Sequence, residues 1–97
     1  MEIAKKMESG TLIVAPHGRI DTVSAPEFGA ALTLDGVNEL VVDLSQVPYM
    51  SSAGLRCLLV AHKGMVARGG SLKLRGLQPM VLEVLNLTGF SGILEME

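Results

Sequence analysis

The segment from Glu39 to Leu55 constrains the fold of this chain more than any other. Its first part, Glu39 to Asp43, is an apolar run typical of a buried strand, and a turn around Pro48 follows. Ser51 and Ser52 then precede an apolar stretch with helical spacing. A strand that leads into a helix N-terminus presents free backbone N–H groups and the positive end of the helix dipole. We therefore expect these adjacent hydroxyls to mark the functional end of the molecule.

The N-terminal part predicts a hairpin. Met1 to Glu8 reads as an edge strand, and the β-branched run Thr11 to Ala15 as its partner. Pro16 lacks a backbone donor, so we expect it to interrupt the second strand, which would resume from Gly18 to Ile20.

The first helix has clear start signals. Ser24 as N-cap and Glu27 three residues later form a predicted capping box. Val23 and Phe28 are spaced for a hydrophobic staple across this helix start. The helix should end before Gly36.

Later elements alternate in type. A second helix is predicted from Ala53 to Arg68, an alternating strand from Ser71 to Arg75, and a third helix from Met80 to Leu87. Gly92 to Glu95 predicts a short last strand. Strands that alternate with helices favour right-handed crossovers onto a mainly parallel sheet. We predict one small α/β domain over residues 1–97, with a mixed, mostly parallel sheet and helices mainly on one face.

Composition excludes several classes of function. The net charge of −2 and the scattered basic residues offer no footprint for nucleic acid, and the three aromatic residues give no platform for stacking bases. Cys57 is the single cysteine, which rules out an intramolecular disulfide and a four-cysteine metal site. No apolar stretch approaches the ~20 residues needed to span a bilayer, and no signal core follows Lys5 and Lys6. We expect a cytoplasmic protein without membrane insertion.

The central loop resembles a known family. Asp43 to Leu55 follows the pattern D-L-S-x-V-x-x-M-x-S-x-G-L, which is similar to the signature loop of STAS domains, and most of all to that of bacterial anti-sigma factor antagonists. The resemblance continues through Gly18 to Asp21 and Leu85 to Phe90. It therefore covers nearly the whole chain and implies the same fold as the pattern of strands and helices.

The resemblance also implies a function. In the family, the serine that matches Ser52 is phosphorylated by a partner anti-sigma factor that is a serine kinase, and a PP2C-type phosphatase reverses the modification. The dephosphorylated form binds the anti-sigma factor and frees a sigma factor. The kinase supplies ATP, so no cofactor is expected in this chain, which also lacks a phosphate-binding G-x-x-x-x-G-K-[ST] loop. Many antagonists carry aspartate at the position of Ser51. This chain has a second serine there instead, so Ser51 is a possible second phosphorylation site.

Local interpretations compete with these roles. Ser52 could simply be the N-cap of the second helix, the commonest role of serine before a helix, or it could combine both roles. Asp21 matches an aspartate on the family's partner-contacting surface, but it could equally prepare the turn into the first helix. Asp43 and Ser45 are expected to hydrogen-bond their own turn. No metal site is expected, because His17 and His62 lack ligands at suitable spacing.

The second helix carries two predicted faces. A core stripe is expected from Leu55, Leu58, Leu59, His62, Met65 and Val66. The opposite face is small and apolar where charge would be normal. One interpretation is a neighbouring helix that covers this face, and the other is a partner-binding surface continuous with Ser52. That surface would comprise Asp21, Ser51, Ser52, Ala53, Arg56, Cys57, Val60, Ala61 and Gly64.

Two other functions fit parts of this sequence. An enzyme would use Ser52 as nucleophile, but the nucleophile elbow G-x-S-x-G has methionine, Met50, in place of its first glycine. No second motif supplies a base, so we do not predict an enzyme. STAS domains also serve as accessory subunits of ABC transporters, including lipid-trafficking systems, and this remains the alternative. Neither interpretation fixes the oligomeric state.

Overall fold

A five-stranded mixed sheet forms the centre of the computed structural model, which describes residues 1–97. The strands lie side by side in chain order. The first two are antiparallel and every later pair is parallel. The α/β class with a mixed, mostly parallel sheet is therefore confirmed. The strands are β1 Glu2–Glu8, β2 Thr11–His17, β3 Glu39–Asp43, β4 Ser71–Arg75 and β5 Glu95–Met96.

Three α-helices connect the parallel strands: α1 Ala25–Ala31, α2 Ser52–Ala67 and α3 Pro79–Thr88. Gly89 ends α3 in the left-handed conformation at φ 80°, where a side chain would be strained. A 3₁₀ turn, Phe90–Gly92, then leads to β5. None of the helices combines the length and the apolar character that crossing a membrane would require.

The strand register explains why the helices share one face. Leu12, Leu40 and Leu72 form one row across β2, β3 and β4, and Val14, Val42 and Leu74 form the next. All of these side chains are buried in one core that also contains residues of all three helices. The prediction that the helices pack mainly on one face is confirmed. The buried residues of α2 pack on this core, which fixes the position of the helix and its N-terminus.

Pro16 does not break its strand as predicted. β2 runs on through His17, and Pro16 pairs with Ile3 of β1. The parallel pairing with β3 ends at Val14, so the missing N–H leaves no ladder bond unmade on that side. The strand also does not resume at Gly18. Instead, the following segment crosses to the loop after β3, where Ile20 forms an isolated parallel bridge with Met50.

Two smaller predictions also differ from the structure. The last strand is displaced to Glu95–Met96, because the 3₁₀ turn occupies the residues just after α3. The hydrophobic staple is absent, since Val23 is 89% exposed while Phe28 is fully buried.

Candidate functional site

The loop before α2 is held against the segment that follows β2. The Ser51 N–H donates to the Ile20 carbonyl at 2.7 Å, and the Ile20 N–H donates to the Tyr49 carbonyl at 3.0 Å. The Gly18 N–H adds a third bond, to the Gln46 carbonyl at 2.9 Å. These backbone bonds fix where the chain leaves its extended conformation and enters the helix.

Gly54 lets the first turn of α2 approach this bridge closely. A Cβ atom at Gly54 would lie 2.7 Å from Ile20 Cγ2 and 2.7 Å from Met50 Cγ. Both neighbours are essentially buried and cannot easily move. The glycine in the loop pattern is therefore required by packing beneath the helix N-terminus.

Ser51, not Ser52, is the N-cap of α2. Its backbone is extended, at φ −81° and ψ 172°, and its hydroxyl accepts a hydrogen bond from the Gly54 N–H at 3.4 Å. The interpretation of Ser52 as the N-cap is therefore wrong. Serine and aspartate are both good N-cap residues. Ser51 thus performs the structural part of the role that an aspartate at this position could perform.

Ser52 is the first residue of α2 and its side chain is exposed. Its hydroxyl makes no hydrogen bond to another protein group. The free hydroxyl therefore lies at the positive end of a 16-residue helix, open to solvent.

Asp21 prepares the turn into α1. Its Oδ1 accepts hydrogen bonds from the N–H groups of Val23 and Ser24, each at 3.0 Å. The bond from the Ser24 N–H is the largest influence that lowers the pKa of the Asp21 carboxyl below its ordinary value. The turn-forming interpretation of Asp21 is confirmed. Asp21 also directly follows Ile20, whose carbonyl anchors Ser51, so it borders the loop.

Ser24 is the N-cap residue of α1, as predicted, but the capping box does not form, because the Ser24 hydroxyl bonds within the preceding turn. The Ser24 hydroxyl accepts from the Asp21 N–H at 3.0 Å and lies 3.0 Å from the Arg19 carbonyl, to which it can donate. It makes no side-chain cap bond to α1. Glu27 instead pairs with the N-terminal ammonium group of Met1 at 3.3 Å.

A groove between α1 and α2 begins at Ser52. Its first part, of about 420 Å³, is lined by Thr22, Ala25, Pro26, Ser52, Ala53, Arg56 and Cys57. Its second part, of about 280 Å³, shares Arg56 and Cys57 with the first and adds Gly29, Leu32, Leu34, Val60 and Ala61. We call the two parts together the α1–α2 groove. Sequence reasoning missed Thr22, Pro26 and the α1 side of this groove, because no local pattern indicates which side chains of one helix face another.

The small, apolar face of α2 is partly covered, as the less specific interpretation held. Ala61 is only 5% exposed and belongs to the core, so the prediction that it lies on an open surface is wrong. Gly64 packs beneath Leu34, whose Cδ1 would lie 2.5 Å from an added Cβ. Cys57 is half-buried, and its Sγ donates to the Ala25 carbonyl at 3.4 Å. Burial also raises the pKa of the Cys57 thiol.

What remains open on this face is a narrower stripe. Ser52 and Arg56 are exposed, Val60 is 64% exposed, and Ala53 is half-buried. The predicted core stripe is confirmed at Leu55, Leu58 and Met65, which are buried. Leu59 and His62 are only half-buried. The prediction is wrong at Val66, which is 57% exposed. The helix is rotated relative to the prediction because it packs against α1 as well as the sheet.

The other candidate residues have local roles. The Asp43 carboxylate accepts from the Ser45 N–H at 3.0 Å, as expected for its turn. His17 Nδ1 lies 3.8 Å from Glu2, and the buried Nδ1 of His62 has no partner. No group of three or more His, Cys, Asp and Glu side chains is arranged to hold a metal ion.

The comparisons with known proteins agree with this geometry. Residues 2–97 match the STAS domain family. The chain belongs to this family. It is 32% identical over 96 residues to the anti-sigma-B factor antagonist of Listeria monocytogenes, covering 96% of this chain and 84% of the relative. A second relative, the anti-sigma-B factor antagonist of Bacillus subtilis, is 32% identical over 93 residues, covering 94% of this chain and 85% of the relative.

Solved structures have the same fold as this STAS domain. An anti-sigma factor antagonist from Mycobacterium paratuberculosis superimposes with a TM-score of 0.87 and 26% identity, over 98% of this chain and 83% of that one. SpoIIAA in its unphosphorylated form gives a TM-score of 0.84 at 17% identity, over 99% of this chain and 88% of that one. The Bacillus protein SpoIIAA in its phosphorylated form gives 0.76, also at 17% identity, over 99% and 91%. At that identity the likeness to SpoIIAA concerns the fold alone.

Proposed function

We propose that this STAS domain is a cytoplasmic switch that binds an anti-sigma factor kinase when Ser52 is unmodified and releases it when Ser52 carries a phosphate. The observation that supports this proposal is that the two adjacent serines have different roles at the start of α2. Ser51 caps α2, so the exposed hydroxyl of Ser52 is free for another purpose. Bound to the unmodified protein, the anti-sigma factor would release its sigma factor.

The modification needs only one reactive atom from this chain. Ser52 Oγ attacks the γ-phosphorus of ATP bound to the kinase, a new O–P bond forms, and the bond to the ADP leaving group breaks. The hydroxyl proton passes to a base of the kinase. A PP2C-type phosphatase would reverse the modification by transferring the phosphoryl group to water.

The same position explains why the fold would survive the modification. A phosphate adds about −1.5 to −2 charges at neutral pH. At a helix N-terminus this charge meets the positive end of the dipole and is tolerated. A partner that had closed over the neutral hydroxyl would now have to bury a dianion, so binding is lost. SpoIIAA, which has this fold, has been solved in both unphosphorylated and phosphorylated forms.

The partner-binding surface would combine the loop with the open stripe of α2. We assign contact roles to Asp21, Ser51, Ser52, Ala53, Arg56 and Val60. Cys57 would contribute mainly by shaping the wall of the groove, and Gly64 by leaving room for Leu34, which lines it. Ala61 supports the surface from the core and is not assigned a contact.

Phosphorylation by the cognate kinase with ATP, followed by mass spectrometry, tests the site. We expect one phosphate on the wild type and on Ser51→Ala, and none on Ser52→Ala. Ser52→Asp should lose most of its affinity for the kinase, whereas Ser52→Ala should keep it. Undiminished phosphorylation of Ser52→Ala would show that the assignment to Ser52 is wrong.

The alternative, an accessory subunit of an ABC transporter, would use the same groove as a permanent interface. Relatives that are anti-sigma factor antagonists favour the switch instead. The genes that neighbour this one distinguish the two, since a kinase and a sigma factor would support the switch, and an ATPase and a permease the transporter.

A further inference from the structure

The α1–α2 groove contains one charged residue, Arg56. Every other lining side chain in both parts of the groove is uncharged. Arg56 is exposed and makes neither a salt bridge nor a hydrogen bond from its guanidinium group to another protein group. Because it lines both parts, it lies between the Ser52 end and the apolar end at Leu34 and Val60. A partner that fills this groove therefore encounters a single unpaired cation among uncharged, largely apolar side chains.

The net positive charge of α2 also favours an acidic partner. From Ser52 to Ala67 the helix carries Arg56 and Lys63 and no carboxylate. Contact of a guanidinium with apolar surface and no counter-ion would leave a desolvated charge, which is costly. A carboxylate can satisfy the guanidinium with two parallel hydrogen bonds. The complement of this groove is therefore an acidic side chain beside an apolar one.

Ser52 and Arg56 are also four residues apart on the same helix. Residues at this spacing lie one above the other on a helix surface and can pair. A phosphate on Ser52 would thus have Arg56 one turn away, on the groove side of α2. It would compete for the same guanidinium that an acidic partner needs.

We propose that the α1–α2 groove binds a partner segment that places a carboxylate on Arg56 and an apolar side chain near Val60 and Leu34, and that a phosphate on Ser52 captures Arg56 in cis. This inference rests on the proposed function and identifies how the partner would detect the modification. Phosphorylation then acts twice, since it adds a dianion and removes the cation that the partner requires.

The cis pairing can be tested without the kinase. Phosphoserine is incorporated genetically at position 52, and the second pKa of the phosphate is measured by ³¹P NMR titration. An adjacent cation favours the dianion, so we expect this pKa to be higher in Arg56→Gln than in the wild type, by roughly 0.3 to 1 unit. Lys63→Gln removes an exposed lysine from the same helix and is the matched control, with no comparable shift expected. Equal values in wild type and Arg56→Gln would overturn the proposal, whether or not the kinase modifies Ser52.

The partner side is tested with the cognate anti-sigma factor and unphosphorylated protein. We expect Arg56→Gln to weaken binding roughly tenfold or more, and to reduce its dependence on salt, because a charge-assisted contact at the centre of the interface is lost. Lys63→Gln should change the affinity less than threefold. Full affinity in Arg56→Gln, with phosphorylation of Ser52 intact, would overturn the acidic-partner inference and leave the switch itself standing.

Discussion

The starts of α1 and α2 differ in how side chains near the helix N-terminus are hydrogen-bonded. At α1, Asp21 holds two N–H groups and the Ser24 hydroxyl is occupied within the same turn. At α2, Ser51 alone provides the side-chain cap, and Ser52 is left with an uncommitted hydroxyl. The first start is closed by its own hydrogen bonds, and the second is open toward the groove. A serine near a helix start therefore indicates a functional site only once the hydrogen bonds of its hydroxyl are known.

The largest loss of stability should come from adding a side chain at Gly54, beneath the N-terminus of α2. Gly54→Ala would force a methyl group against Ile20 and Met50, and overpacking of this kind costs about 1–3 kcal/mol. Although alanine has the better helix propensity, we expect a lower free energy of unfolding in urea titrations. Gly92→Ala, where an added Cβ would meet no atom within 4 Å, is the control. If Gly54→Ala were as stable as Gly92→Ala, the loop would be more loosely packed than described.

Substitutions of Ser51 and Ser52 should next differ in their effect on the free energy of unfolding. Ser51→Ala removes the cap and should cost about 0.5–1 kcal/mol, whereas Ser52→Ala should stay within about 0.5 kcal/mol of wild type. Ser51→Asp should retain the stability, because aspartate caps as well and complements the helix dipole. Thermal and urea unfolding measure all three variants. A larger loss in Ser52→Ala than in Ser51→Ala would reverse the assignment of the cap.

Substitution of Asp21, at the start of α1, should have the smallest effect on stability, and this effect should depend on pH. The pKa of Asp21 is lower in the folded state than its ordinary value of ~3.9, so the carboxylate stabilises the fold above that pH. This contribution is lost as the pH falls through the folded pKa. Asp21→Asn keeps an acceptor oxygen but cannot ionise.

We therefore expect Asp21→Asn to be slightly less stable than wild type at pH 7 and the gap to close in acid. Urea unfolding at pH 7 and at low pH measures it. The comparison between variants is needed because the pKa of Asp43 is also lowered: burial raises it, but the hydrogen bonds from Ser45 and the charges of Arg75 and His17 together outweigh burial. A gap that persists unchanged in acid would show that the Asp21 charge contributes nothing.

Sequence reasoning recovered the elements because their signals are local. The apolar run of β3, the alternation of β4 and the glycines after α2 and α3 each act within a few residues. The boundaries of β3 and β4 are confirmed, and those of α2 and α3 differ by one residue at each end. The prediction at Pro16 is wrong because the point where β3 stops pairing with β2 is not a local property of the sequence.

The amino-acid sequence is enough to predict the order of strands and helices, the family pattern and the position of two hydroxyls at one helix start. Which of the two hydroxyls is free depends on contacts between segments that are distant in the chain. Ser51 and Ser52 are identical in local chemistry, and the bond from the Ser51 N–H to the Ile20 carbonyl fixes where the helix begins. The packing of the domain likewise buries Ala61 and leaves Arg56 exposed, because the rotation of a helix about its axis depends on everything that packs against it.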